Sequence, residues 1–151
     1  MNAASHDVSG YTLSADGTLT PIPSSPFASL AYPREAVAAP DGRHLYVLNA
    51  NSSDISVFAI AADGGLTPIA GSPFATGPAP SGLAMRPDGR HLYVSTYGLN
   101  TVVHHPIAAD GSLGAFTASA AGYYPLSLDV TPDGRHLYVG NAGSDDISGY
   151  A

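Results

Sequence analysis

Polar and apolar positions alternate in short runs along this chain, and no window carries the spacing of an amphipathic helix. Arg43-His44-Leu45-Tyr46-Val47 alternates and ends in β-formers, so it predicts a strand. Pro40-Asp41-Gly42 stands before it. Proline fixes φ for the first central position of a turn, Asp suits the second, and Gly takes the positive φ that closes a hairpin. Ahead of the turn, Ala36-Val37-Ala38-Ala39 is short and apolar, as a strand buried in a larger assembly should be. The stretch Pro40 to Val47 returns letter for letter at Pro87 to Val94 and Pro132 to Val139, in steps of 47 and 45 residues. Fixed-period similarity at that length means stacked supersecondary units.

Two more strands fill each period. Asp7-Val8-Ser9-Gly10-Tyr11-Thr12-Leu13 alternates and leads to the turn Ala15-Asp16-Gly17. Leu19 to Pro23 follows, and its two prolines suit an outer edge strand that needs no N–H donors. Ser25-Pro26-Phe27-Ala28 opens a loop that runs to Tyr32-Pro33, where the innermost strand starts. The second unit repeats all of this from Asp54. In the third, the edge strand becomes Leu113-Gly114-Ala115-Phe116 and the Ser-Pro-Phe element is missing. The units run over residues 5–51, 52–98 and 99–143, and a fourth starts at 144–151, all within one domain of residues 1–151. Four short strands per period predict an all-β propeller with about three four-stranded antiparallel blades per chain.

The chain opens with the third and fourth strands of a blade and finishes with the first, second and third. Its ends are therefore complementary, and the expectation is a ring closed by oligomerisation. Two copies making six blades are favoured, and three making nine are the alternative. The third strand occurs at both ends, as Val8-Ser9-Gly10-Tyr11 and Ile147-Ser148-Gly149-Tyr150, so one of the two should be displaced or frayed. The overlap is what a segment cut from a longer repeat array would show.

Composition narrows the function. The 17 Gly and 13 Pro fall at regular turn positions rather than in a low-complexity tract. With no Cys there is no disulfide frame, thiolate metal site or Cys nucleophile. No run is long enough to span a membrane, and Met1 to His6 lacks the basic and apolar regions of a signal peptide, which favours the cytoplasm. Net charge is −7, and three of the five Arg sit in the repeated turn, so no basic stripe remains for nucleic acid. The acidity is mostly Asp in turns, which turn chemistry explains.

Pro-Asp-Gly-Arg-His-Leu-Tyr-Val-x-Asn, at Pro40 to Asn49 and Pro132 to Asn141, resembles the YVTN repeat of lactonase-type β-propellers, which include 6-phosphogluconolactonase-like proteins. The Asp-Gly-x-Leu-Thr-Pro hairpin and the Ser-Pro-Phe element belong to the same pattern, and the resemblance covers nearly the whole chain. In the second unit Thr96 stands in place of the motif Asn. The resemblance implies a propeller, usually of seven blades in one chain, and channel-mouth Arg, Glu and His residues where members are active.

His44, His91 and His136 are repeat equivalents on three different blades, so they are expected apart and structural, with no metal and no cofactor. His105 replaces Tyr11 and Phe58 and should fill an aromatic slot between blades. His104 aligns with Gly10 and Val57, away from the axis. On the innermost strands, Ala36, Ala38, Leu83, Met85, Leu128 and Val130 are expected between blades. The alternating set is then expected to face the central channel. Within that set Glu35, Arg86 and Asp129 break the repeat, with Arg34 at the channel mouth. A site grafted on a symmetric scaffold must break the symmetry somewhere. Arg34 and Arg86 are candidate anion or sugar-acid ligands, and Glu35 or Asp129 a candidate base. Arg34 and Glu35 match the family's residue types, but no His falls at the channel. Two functions follow: a self-assembling scaffold or binding module without catalysis, which is favoured, and a lactonase-like hydrolase of sugar-acid lactones at the channel of the closed ring.

Overall fold

A computed structural model describes residues 1–151 as sixteen strands with no helix. The first four make half a blade, blade 1. Here β1 (Asp7–Val8) and β2 (Tyr11–Leu13) form a third strand, paired to an outer strand of β4 (Phe27–Ala28) and β3 (Leu19–Pro21). Blade 2 is β5 (Pro33–Ala38), β6 (His44–Asn49) and β7 (Asp54–Ile60), with β8 (Leu66–Pro68) and β9 (Phe74–Ala75) both paired to β7. Blade 3 is β10 (Pro80–Met85), β11 (His91–Thr96), β12 (Thr101–Pro106) and β13 (Thr117–Ala120). Blade 4 has three strands, β14 (Pro125–Val130), β15 (Leu137–Asn141) and β16 (Asp146–Tyr150). The molecule is a partial all-β propeller.

The repeated turn behaves as its residues require. Gly42, Gly89 and Gly134 have φ of 71°, 71° and 69°. The preceding Asp accepts the amide two residues on: Arg43 N–H donates to Asp41, Arg90 N–H to Asp88 and Arg135 N–H to Asp133. Asp16, Asp63 and Asp110 do the same for Thr18, Gly65 and Ser112 in the second hairpin. Six of the twelve acidic residues thus hold turns, which accounts for much of the negative charge.

The outer strand departs from expectation. Ser-Pro-Phe carries the second half of that strand as well as a loop. Ser72 Oγ accepts the Val57 N–H at 2.9 Å, and Ser25 Oγ accepts that of Gly10 at 2.9 Å. The hydroxyl bridges the gap between the two strand pieces. In blade 3 the expected edge strand Leu113 to Phe116 makes only one bridge, Ile107 to Leu113. Without Ser-Pro-Phe the chain crosses sooner and pairs as Thr117–Ala120 along Thr101 to His104.

The blades pack face to face. Tyr46, Leu48, Ile55 and Val57 of blade 2 meet Leu83, Leu92, Val94 and Val103 of blade 3. The other face of blade 2 packs Val47 and Phe58 on Val8, and the far face of blade 3 packs Val102 on Leu137 and Val139. Leu83 is buried and Met85, Leu128 and Val130 are half-buried between blades, as expected. The alternate set does not face the channel as expected. Val37 and Ala39 pack into the core between blades 2 and 3, Ala84 is buried, and a Cβ on Gly82 would lie 2.8 Å from the Leu126 carbonyl oxygen. The physical reason is that a blade turns the edge of its inner strand, not a face, toward the axis. The pleat then sends both sets of side chains sideways. Ala36 and Ala38 are exposed because blade 1 has no inner strand to cover them.

Candidate functional site

Each inner strand begins the same way. Tyr32, Ala79 and Tyr124 have φ of 62°, 51° and 55°, each ahead of the proline that starts the strand. Left-handed backbone at a non-glycine residue costs on the order of 1–3 kcal/mol and persists only where surroundings impose it. Here the carbonyls of these residues accept the amides of Ala50, Tyr97 and Ala142, which ties the strand start to the end of the second strand. A register shift follows in all three blades, between Pro33 and Glu35, Pro80 and Gly82, and Pro125 and Ser127. Such bulges re-aim side chains.

At the first bulge the re-aimed residue is Glu35. Its Oε2 accepts the Leu83 N–H of the neighbouring inner strand at 2.7 Å. Strand β10 lies at the axial edge of its sheet, so the carboxylate sits on the channel wall with its second oxygen free of protein partners. At the second bulge Ser81 Oγ donates to the Pro125 carbonyl at 2.6 Å, which ties blades 3 and 4 at the same level. Arg34 occupies the first bulge itself, exposed and without an ion pair. Around this mouth the strained Tyr124 stacks on Tyr97, with ring centroids 4.5 Å apart and planes 12° from parallel. Tyr32 is held by its own N–H, which donates to His6 Nδ1 at 3.1 Å.

The four candidates do not converge. Arg34 and Glu35 share the mouth. Arg86 follows the last residue of β10, three residues beyond Leu83 and about 10 Å farther along the strand at ~3.3 Å per residue. There it pairs with Asp88 at 3.5 Å, beside Gly134 of blade 4. Asp129 is exposed, opposite in phase to Leu128 and Val130, and accepts the Val130 N–H. Sequence reasoning missed Tyr97, Tyr124 and His6 because they lie outside the repeated octapeptide. The signal was the Tyr-Pro pair at the head of two inner strands, Tyr32-Pro33 and Tyr124-Pro125.

The histidines separate as well. His44, His91 and His136 lie on three blades. His105 is buried and tilted against Phe116, in the aromatic slot expected for it. Burial holds its imidazole below the usual range. His104 Nε2 and His91 Nδ1 lie 2.9 Å apart, and His104 stacks on Tyr93. Burial first, and His91 second, lower the His104 pKa. His104, but not His91, lines a cleft of about 600 Å³ between blades 3 and 4 at the turn end, together with Arg86 and Tyr93 and without Glu35.

The comparisons bear on what this mouth does. Residues 5–151 match the family described as "Lactonase, 7-bladed beta-propeller". A Lactobacillus plantarum structure is 27% identical with a TM-score of 0.86, over 97% of this chain and 45% of that one. A putative 6-phosphogluconolactonase from Bacteroides uniformis is 19% identical, with a TM-score of 0.88 over 99% and 45%. The Pseudomonas aeruginosa periplasmic gluconolactonase PpgL is 24% identical, with a TM-score of 0.84 over 99% and 45%. The chain thus spans about half the length of these structures. Among curated proteins none matches. The family match overturns the expectation of a scaffold or binding module without catalysis and moves the weight to the hydrolase alternative. By its residues 5–151, the chain belongs to the family of lactonase seven-bladed β-propellers.

Proposed function

We propose that this chain carries part of the site of a lactone hydrolase acting on a sugar-acid lactone at the mouth of the propeller channel. The observation that supports this most directly is Glu35. Its carboxylate is fixed through one oxygen by the Leu83 N–H and leaves the other oxygen open, and the preceding residue, Arg34, is exposed with no ion pair. The names of two structural neighbours, a putative 6-phosphogluconolactonase and a gluconolactonase, point to the same substrate class.

The chemistry needs few parts. Water attacks the lactone carbonyl carbon while Glu35 takes its proton. The C=O pair moves onto oxygen, and Arg34 is placed to stabilise that oxyanion. When the carbonyl re-forms, the ring C–O bond breaks, and the departing alkoxide takes the proton back from Glu35. The product is an open hydroxy acid whose carboxylate pairs with Arg34 on its way out. Tyr32 and the Tyr97–Tyr124 pair offer flat faces for the C–H side of a sugar ring. The channel wall is complete only in a closed ring, so the activity belongs to the assembled propeller. Saturable hydrolysis of glucono-δ-lactone above the spontaneous rate, followed by acid release in a pH-stat, is the expected result. Rates equal to the buffer blank would contradict the reading.

A further inference from the structure

One repeat position at the mouth changes in bulk from blade to blade. Ahead of the inner strands stand Tyr32, Ala79 and Tyr124, with φ of 62°, 51° and 55°. Their carbonyls accept the amides of Ala50, Tyr97 and Ala142. The backbone is therefore the same each time, and only the side chains differ.

Between blades 3 and 4 the position is filled. The Tyr124 ring stacks on Tyr97, and a Cβ on Gly143 would lie 2.5 Å from that ring. One period earlier, between blades 2 and 3, Ala79 stands for Tyr124, Ala50 for Tyr97 and Gly98 for Gly143. A stacked pair of phenol rings has become a pair of methyls. A Cβ on Gly98 would meet only the Ala79 Cβ at 3.4 Å and the Pro78 carbonyl oxygen at 3.8 Å. Ala79 and Gly98 are exposed. The backbone that holds stacked rings at one junction thus holds an open slot at the other. Both blades that wall the slot have all their strands in this chain.

The same junction carries Glu35, whose carboxylate crosses from blade 2 to the Leu83 N–H of blade 3. Ala79 lies four residues ahead of Leu83, and the bulge between Pro80 and Gly82 takes up one of them. The slot then stands about 10 Å outward of Glu35, at ~3.3 Å per residue. That span exceeds one six-membered ring and matches two linked rings. The lining suits a sugar. Methyl and glycine C–H surface can meet the C–H side of a pyranose. Asn51 and Ser52, exposed on the loop after Ala50, offer an amide and a hydroxyl to its hydroxyls.

We propose that this slot is a second subsite of the mouth, shaped for a pyranose ring. The molecule it takes is then an aldobionic acid or its lactone, with the acid end at Arg34 and Glu35 and the non-reducing sugar between Ala50, Ala79 and Gly98. Placing the acid end rests on the lactone reading above, whereas the slot itself rests on the repeat.

Calorimetric titration of the chain with cellobionate and with gluconate tests it without turnover. The two acids share the carboxylate end, and only cellobionate carries the second ring. Cellobionate should bind about tenfold more tightly or better. Ala79→Tyr restores the residue that Tyr32 and Tyr124 carry in the same left-handed backbone. It should bring cellobionate to within about twofold of gluconate. Ala50→Tyr restores the other ring and decides the matter if circular dichroism shows Ala79→Tyr unfolded. No binding of cellobionate, equal affinities in the parent, or a preference that survives in a folded slot-filling variant would overturn the subsite. A cellobionate preference without hydrolysis of either lactone would remove the hydrolase reading and keep the subsite. Hydrolysis of glucono-δ-lactone without that preference would do the reverse.

Discussion

At the scale of residues, backbone and burial make two positions decisive. Gly89 holds φ at 71°, and a Cβ there would approach the Pro40 ring at 3.3 Å. Gly89→Val should cost roughly 1–2 kcal/mol or more in urea unfolding, because a β-branched residue is strained in left-handed backbone. A variant as stable as the parent would show that the turn tolerates L side chains. His105 makes a pH prediction. Burial depresses its native pKa below the unfolded value of about 6.5. The unfolded chain then binds more protons, so this contribution is complete above about pH 6.5 and is lost as pH falls below it. His105→Phe restores the residue type of Phe58 and should flatten the loss of melting temperature between about pH 7 and pH 5. An unchanged acid slope would place that titration elsewhere. Both positions were legible, the glycine from Pro-Asp-Gly and the histidine from its alignment with Tyr11 and Phe58. The His91–His104 contact was not, because it depends on how the second and third strands are paired, which puts Tyr93 and not His91 directly opposite His104.

At the scale of elements, the broken outer strand carries the next test. Ser72 Oγ is the partner of the Val57 N–H, so Ser72→Ala leaves a buried donor unpaired, which costs about 1–3 kcal/mol. Denaturant unfolding should show that loss, and a neutral result would mean that water reaches the amide. Ser-Pro-Phe read as a loop in sequence because proline cannot donate to a ladder. The serine that supplies the missing bond has no periodic signature. The inner strands were legible as buried strands, but their phase relative to the channel was not. A strand in an ordinary sheet has one wet face, whereas Val37 and Ala36 each face a neighbouring blade position, and only the bulge at Arg34 sends a carboxylate across to the next strand.

At the scale of the whole molecule, the exact repeat of Pro40 to Val47 made the propeller readable, since three identical hairpins at a period of 45–47 residues leave few other architectures. The four candidate site residues divide in the structure. Arg34 and Glu35 broke the repeat and stand together at the mouth. Arg86 and Asp129 broke it too, yet they serve the turn end and an open face, because asymmetry in a repeat marks ends as well as sites. That division gives the most direct measurement: kcat on a sugar-acid δ-lactone for Glu35→Gln and Arg86→Met side by side. Glu35→Gln keeps an acceptor for the Leu83 N–H but cannot take a proton. It should lower kcat by roughly 10²–10⁴-fold, the usual share of a general base, while Arg86→Met stays within about twofold of the parent. Equal losses in the two variants, or full activity in Glu35→Gln, would contradict the account.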